Sequence, residues 1–166
     1  GVNYHILEHK GVWFMMIDNS PNFTEIGDSQ MNWIKGNIGK ADFVVLSQPL
    51  YVDGLNPPFS STYMGSVPAV PESDDMKEKQ AKVKEQGELL LDLIRKNSNV
   101  KATIAGEHHR SSKIEDSVRP GLVHHVLGAV TSTVNDFPQT AIQTPRFSVL
   151  SVYKDGNYVL DDVLID

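Results

Sequence analysis

The chain has 166 residues, 40% of them hydrophobic and 22% charged, a net charge of −6 and no cysteine. The length fits one domain spanning 1–166, and the composition excludes a disordered chain. The acidic balance excludes general attraction to nucleic acid or anionic lipid, and the missing cysteines exclude disulfides, thiolate metal sites and cysteine nucleophiles together.

The N-terminus shows no basic segment followed by an apolar one, and no run approaches the roughly 18 apolar residues of a membrane span. The expectation is a soluble protein of cytoplasm or periplasm, without membrane or nucleic-acid partners. In chain order, Tyr4 to Glu8 leads through His9-Lys10-Gly11 into Val12-Trp13-Phe14-Met15-Met16-Ile17, a hairpin. The second run is apolar throughout and reads as a strand buried on both faces. It ends at the turn formers Asp18-Asn19-Ser20-Pro21. A helix is predicted over 29–38, with Asp28 or Ser29 as N-cap, Met31, Ile34 and Ile38 on one face, Trp33 beside them, and Gly39 at its end. Phe43-Val44-Val45-Leu46 is a central strand by its β-branched content.

Residues 47–75 read as one long loop, rich in Pro and Ser. Loops of this length are functional or mobile. A second helix is predicted over 75–96, its apolar face formed by Met76, Val83, Gly87, Leu90 and Ile94, with Asn97 as a left-handed stop. The remainder reads as strands over 100–105, 122–130, 147–153 and 158–165, the last two joined at Lys154-Asp155-Gly156-Asn157.

Three stretches carry a resemblance. The first is Val12 to Ser20 followed by Gln30, Trp33 and Ile34. The second is Val44-Val45-Leu46-Ser47-Gln48-Pro49-Leu50-Tyr51, and the third is Thr103-Ile104-Ala105-Gly106-Glu107-His108-His109-Arg110. They resemble, in order, the strand-Leu-Asp-Ser/Thr with Gln-x-x-Trp-Leu, the strand-His-His-Pro-Leu-Tyr and the strand-Gly-His-x-His of calcineurin-like metallophosphoesterases. Val126 to Ala129 and Arg146 to Leu150 resemble that family's closing strands. The resemblance spans nearly the whole chain and covers the second half of the family's domain. It implies an α/β fold with a mixed sheet, half of a metallophosphoesterase-type β-sandwich flanked by two helices.

The family holds two metal ions about 3.5–4 Å apart, which activate a water and clamp a phosphoryl group. The resemblance places one ligand position at Ser47, where a neutral hydroxyl replaces imidazole. It places the others at Glu107, a carboxylate suited to a hard cation, and at His109, which matches. Gln48 and His108 are the remaining degenerate positions of these motifs. Glu107 and His109 are thus the metal candidates, for Mn, Zn or Fe held weakly or not at all, and no catalytic residue is assigned. A solvated polar loop accounts for His108 and His109 without any ligand, and is favoured over weak metal binding by Glu107 with His109.

His124 and His125 are adjacent on a strand, so they point to opposite faces and cannot readily share one ion; a buried strand pair is the plainer reading. His5 and His9 read as surface residues, and Gln30 as a local hydrogen-bonding group. Asp74-Asp75 read as a helix start and Asp161-Asp162 as a strand end. No Gly-x-Ser-x-Gly elbow or phosphate-binding glycine loop is present.

The half-sandwich leaves an apolar sheet face to be covered. Exposing several hundred Å² of it forfeits on the order of 10 kcal/mol. The cover is another polypeptide, a second copy of the chain giving a dimer, or the 47–75 loop, with another polypeptide favoured. Two functions follow from the resemblance. One is a non-catalytic phosphoesterase-like module for binding or assembly. The other is a metal-dependent phosphoester hydrolase whose first half lies upstream or in a partner chain. A chain without the β-α-β order would instead be a β-rich binding domain.

Overall fold

A computed structural model describes residues 3–19, 25–51, 73–106, 111–130, 133–135 and 141–165. Strands β1 (His5–His9) and β2 (Val12–Ile17) form an antiparallel hairpin, from His5 opposite Met16 to His9 opposite Val12. Lys10 and Gly11 make its turn with φ of 52° and 82°. Positive φ at both central residues is the turn that matches the strand twist. The burial expected of β2 holds only at its carboxyl half. Met15 and Ile17 are buried, but Trp13 is 36% exposed, because β1 is an edge strand and little packs over that end.

Helix α1 (Asp28–Asn37) follows, passing into a 3-10 turn over Ile38–Lys40 that contains Gly39. Met31, Ile34 and Ile38 are buried as their spacing predicts, and Trp33 packs beside them. The expected cap is corrected: Gly27 is the N-cap and makes no side-chain bond, while Asp28 is already helical. Strand β3 (Phe43–Leu46) then leads to helix α2 (Asp74–Lys96). Asp74 and Asp75 do stand in its first turn. Val83, Leu90, Leu91 and Ile94 are buried along its inner side, with Gly87; the side chain of Met76 lies outside the described ones. The stop at Asn97 works differently from the expectation. Lys10 is the non-glycine with positive φ among the described residues, and Asn97 closes the helix by donating its side-chain amide to Leu93 O at 2.7 Å.

Strands β4 (Ala102–Ala105), β5 (Ser112–Glu115), β6 (Val123–Val126), β7 (Thr133–Asn135), β8 (Ala141–Gln143), β9 (Arg146–Val152) and β10 (Tyr158–Leu164) complete the order. Two strands are shorter than their apolar runs: pairing of β4 begins only at Ala102, and β6 pairs only from Val123 to Val126. β5, in a polar stretch with alternating exposure, carried no strong strand signal. The main sheet has the order β1-β2-β3-β4-β6-β5, with β2, β3, β4 and β6 parallel and both edges antiparallel. The protein is therefore mixed α/β, a six-stranded mixed sheet with two helices. The β-α-β order rules against a purely β-rich chain. No helix among the described residues is long and apolar enough to cross a membrane.

The sheet has two unlike faces. On one, Met15, Ile17, Val44, Leu46 and Ala105 pack with residues of α1 and α2 into the main core. On the other, Phe43, Ala102 and Ile104 meet Leu150, Val152, Tyr158 and Leu160 of the antiparallel hairpin β9–β10. Aromatic rings knit this second layer: Phe14 stacks on Phe43 at 5.4 Å, and Tyr158 meets Phe43 edge-on at 5.1 Å. A cover not among those expected, the chain's own closing hairpin, thus lies over the middle of the second face. Its outward side leaves Phe147, Val149, Val159 and Val163 exposed. The long segment after β3 begins inward, with Leu50 and Tyr51 buried; residues 52–72 lie outside the described ones.

Candidate functional site

The parallel strands deliver their carboxyl ends to one edge of the sheet, where loops can project side chains together. Ile17, Leu46 and Ala105 lie in register across β2, β3 and β4. The residues just beyond them therefore share this edge. Asn19 and Gln48 bind reciprocally: Asn19 Nδ2 donates to Gln48 O and Gln48 N donates to Asn19 Oδ1, both at 2.9 Å. Both residues are buried. Gln30 reaches from α1 to donate to Asp18 O at 2.7 Å, the local role expected of it. Gly106 lies so near Ser47 that a Cβ built on it would stand 3.8 Å from Ser47 O.

The structure thus gathers Ser47, Gln48 and the residue before Glu107 at one edge. Glu107, His108 and His109 lie outside the described residues. What the described part of this edge offers a cation is a serine hydroxyl, the Asn19 and Gln30 side-chain amides engaged with backbone, and the Asp18 carboxylate, which accepts from Asn3 Nδ2 at 3.1 Å. Those donors are mostly neutral oxygens, a poor match to the His- and carboxylate-rich shells of a dinuclear centre. Among the described residues no group of three or more His, Asp or Glu stands close enough to hold a metal ion.

The histidine pair behaves as alternation requires. His124 faces the helices and His125 the hairpin, both buried. His124 Nε2 lies 3.0 Å from Asp116 Oδ2 and its Nδ1 lies 2.8 Å from Thr103 Oγ1. Asp116 is fully buried at its side chain. Burial works to raise its pKa, but Arg95, the amides of Arg119 and Val118, and His124 hold it down at about 2. An ionised carboxylate only accepts hydrogen bonds. Nε2 of His124 therefore carries the proton, and Nδ1 accepts from the Thr103 hydroxyl. Burial lowers the His124 pKa against the pull of Asp116, keeping the ring neutral.

Around this chain of bonds the packing closes. Tyr51 stacks on His124 with centroids 4.6 Å apart, and its hydroxyl meets Ser117 Oγ at 2.8 Å. Arg95 grips Asp116 through Nε and a terminal nitrogen at 2.8–3.0 Å and lies over the Tyr51 ring. Arg119 donates to Ile94 O, Asn97 O and Ser98 O at 2.7–3.0 Å, and to Val100 O. One guanidinium so satisfies carbonyls that the end of α2 would leave orphaned. Thr103, His124 and Asp116 have the residue types of a hydrolytic triad, but Thr103 is 2% exposed, so no substrate reaches its hydroxyl. The cluster is structural: it locks β4, β6, α2 and the start of the long segment together.

Sequence reasoning missed Asp116, Arg95 and Arg119. The available signal was local. Asp116-Ser117-Val118-Arg119-Pro120-Gly121 is turn-forming, and Asp116 Oδ1 accepts from the amides two and three residues on, both at 2.8 Å.

On the hairpin side, His125 Nε2 meets Tyr158 Oη at 3.1 Å. Burial and the nearby Lys113 push the His125 pKa down to about 4, and burial pushes Tyr158 up to about 12. Asp161-Asp162, expected at a strand end, lie within β10. Burial raises the Asp162 pKa, but bonds from Ser111, Ser148 and Arg146 outweigh it and keep the carboxylate ionised. Ser111, Lys113, His125, Asp161 and Asp162 border a cavity of about 290 Å³. The bond from Ser111 ties the start of the segment 111–130 to the hairpin through Asp162. His5 and His9 are exposed, as expected. Comparison with protein-family models finds no family that matches the chain, and comparison with curated proteins finds no matching relative.

Proposed function

We propose that the chain is a metallophosphoesterase-like module, non-catalytic as it stands, that acts in binding or assembly with another polypeptide. One observation carries the reading. The sheet edge where the resemblance puts metal ligands presents Ser47 and Gln48, and the main chain of Gln48 is held at both its N–H and its carbonyl by the Asn19 side chain. An edge held by amide-to-backbone bonds keeps its shape without a metal, and its described residues supply no imidazole of the kind a phosphoesterase needs. Glu107 and His109 alone do not complete two coordination shells. Assembly is supported by the exposed apolar side of β9–β10, where Phe147, Val149, Val159 and Val163 are each 39–47% exposed. A partner polypeptide or a second copy of the chain would gain by covering it.

The test is hydrolysis of bis-p-nitrophenyl phosphate and p-nitrophenyl phosphate with excess Mn²⁺. The proposal expects no turnover above buffer. Robust turnover that His109→Ala abolishes would replace it with the hydrolase reading.

A further inference from the structure

A groove of about 500 Å³ lies between the main sheet and β9. Its floor is aliphatic and aromatic: Val12 and Phe14 of β2 on one side, Leu150 and Val152 of β9 on the other. Its rim is cationic and confined to one end. Its two cations are Lys10 of the β1–β2 turn and Lys154 of the β9–β10 turn, with His9 at the end of β1 and Tyr153 beside them. No carboxylate borders the groove among the described residues, although the whole chain carries a net charge of −6. Three acidic groups close to these turns are held in bonds of their own and do not line the groove. Glu8 accepts from Gly11 N, Asp42 pairs with Lys101 at 3.0 Å, and Asp155 accepts from Asn157.

Lys10 adds a second observation. It holds φ of 52°, a conformation that Asn or Gly adopts at lower cost than lysine. The turn thus presents a cation where a neutral residue would fold more easily.

We propose that this groove binds a small amphiphilic anion, its apolar body on Val12, Phe14, Leu150 and Val152 and its single anionic head between Lys10 and Lys154. The volume is that of small-molecule sites, roughly 300–1,000 Å³. Cations grouped at one end fit one head group; an extended acidic chain would find only apolar floor beyond the first residue.

The experiment is an amide-shift titration of the full chain with naphthalene-2-carboxylate, alongside its neutral carboxamide. The carboxylate is expected to give saturable shifts at Val12, Phe14, Leu150 and Val152. The carboxamide is expected to bind about tenfold more weakly, a difference of the size a pair of charge contacts supplies. Added salt should narrow that gap. Lys10→Asn should weaken the carboxylate severalfold yet raise the unfolding midpoint by about 1–3 °C, since the strained residue is relieved. Lys154→Gln should weaken the carboxylate with no change in midpoint. Equal binding of the two probes would overturn the proposal, as would shifts centred on Phe147 and Val163, or no saturation at millimolar probe. Concentration-dependent broadening of the groove amides without probe would assign the groove to a second copy. Tighter binding of a short acidic β-strand peptide would assign it to a polypeptide. Either result would also overturn it.

Discussion

Asp116 shows how one residue can hold several elements. Its side chain is fully buried and answers Arg95, His124 and two backbone amides. Removing one partner of a buried pair strands the other charge, which costs about 3–5 kcal/mol. Asp116→Ala should therefore lose that much stability in chemical denaturation, with Tyr51 released from its stack. A loss below 1 kcal/mol would mean the cluster is solvated and the account of it wrong. Acid acts on the same residues. His125 has a folded pKa of about 4, below the unfolded value of about 6.5. The unfolded chain then binds more protons between those values, so stability falls as pH drops through that window. Each fully unequal site gives about 1.4 kcal/mol per pH unit. Between pH 7 and 5, His125 alone should cost about 2 kcal/mol. His125→Gln should remove that part of the slope and leave the share from His124, whose pKa burial also lowers. Asp116 acts lower, from pH about 4 towards 2, where its depressed pKa lies. The burial of both histidines and their opposite directions were legible from adjacency on a strand. Their partners were not. Asp116 and Thr103 lie 8 and 21 residues from His124, and only the parallel pairing of β4 with β6 brings Thr103 beside it.

Element by element, the apolar periodicity named both helices and the central strands. The boundaries went astray where a backbone or side-chain bond overrode composition. The left-handed stop expected at Asn97 is a side-chain bond to Leu93 O, and the cap expected at Asp28 or Ser29 falls to Gly27. β5 escaped notice because its Ser-Lys-Ile-Glu is half exposed on an edge, where pairing rather than hydrophobic content makes the strand. α1 also carries a correctable weakness. Gly36 sits exposed in its last turn, just before the 3-10 turn, and a Cβ there would meet nothing within 4 Å. Gly36→Ala should stabilise the protein by about 0.5–1 kcal/mol, read as a higher midpoint in urea with an unchanged slope. A lower midpoint would show that Gly36 serves a contact absent from this structure.

For the whole molecule, the sheet order explains why the motif residues that resemble one family come together at all. Consecutive parallel strands joined by helices on one face deliver Asp18, Ser47 and Gly106 to the same edge. The order of the motifs along the chain carried this much. The mixed α/β class was legible, and so was the pairing of a closing hairpin. That the hairpin folds back over Phe43 and Ile104 was not legible, because apolar alternation in β9 and β10 does not say which layer receives it. The two-sided apolar character of that hairpin is what leaves Phe147, Val149, Val159 and Val163 exposed.

The central claim is that the motif edge has the form of a phosphoesterase site without its metal-holding power. Metal content per chain tests it most directly, measured after equilibration with Mn²⁺ or Zn²⁺ and exhaustive dialysis. The account predicts well below one ion per chain, unchanged in Glu107→Gln. Two tightly retained ions per chain, lost in His109→Ala, would contradict it.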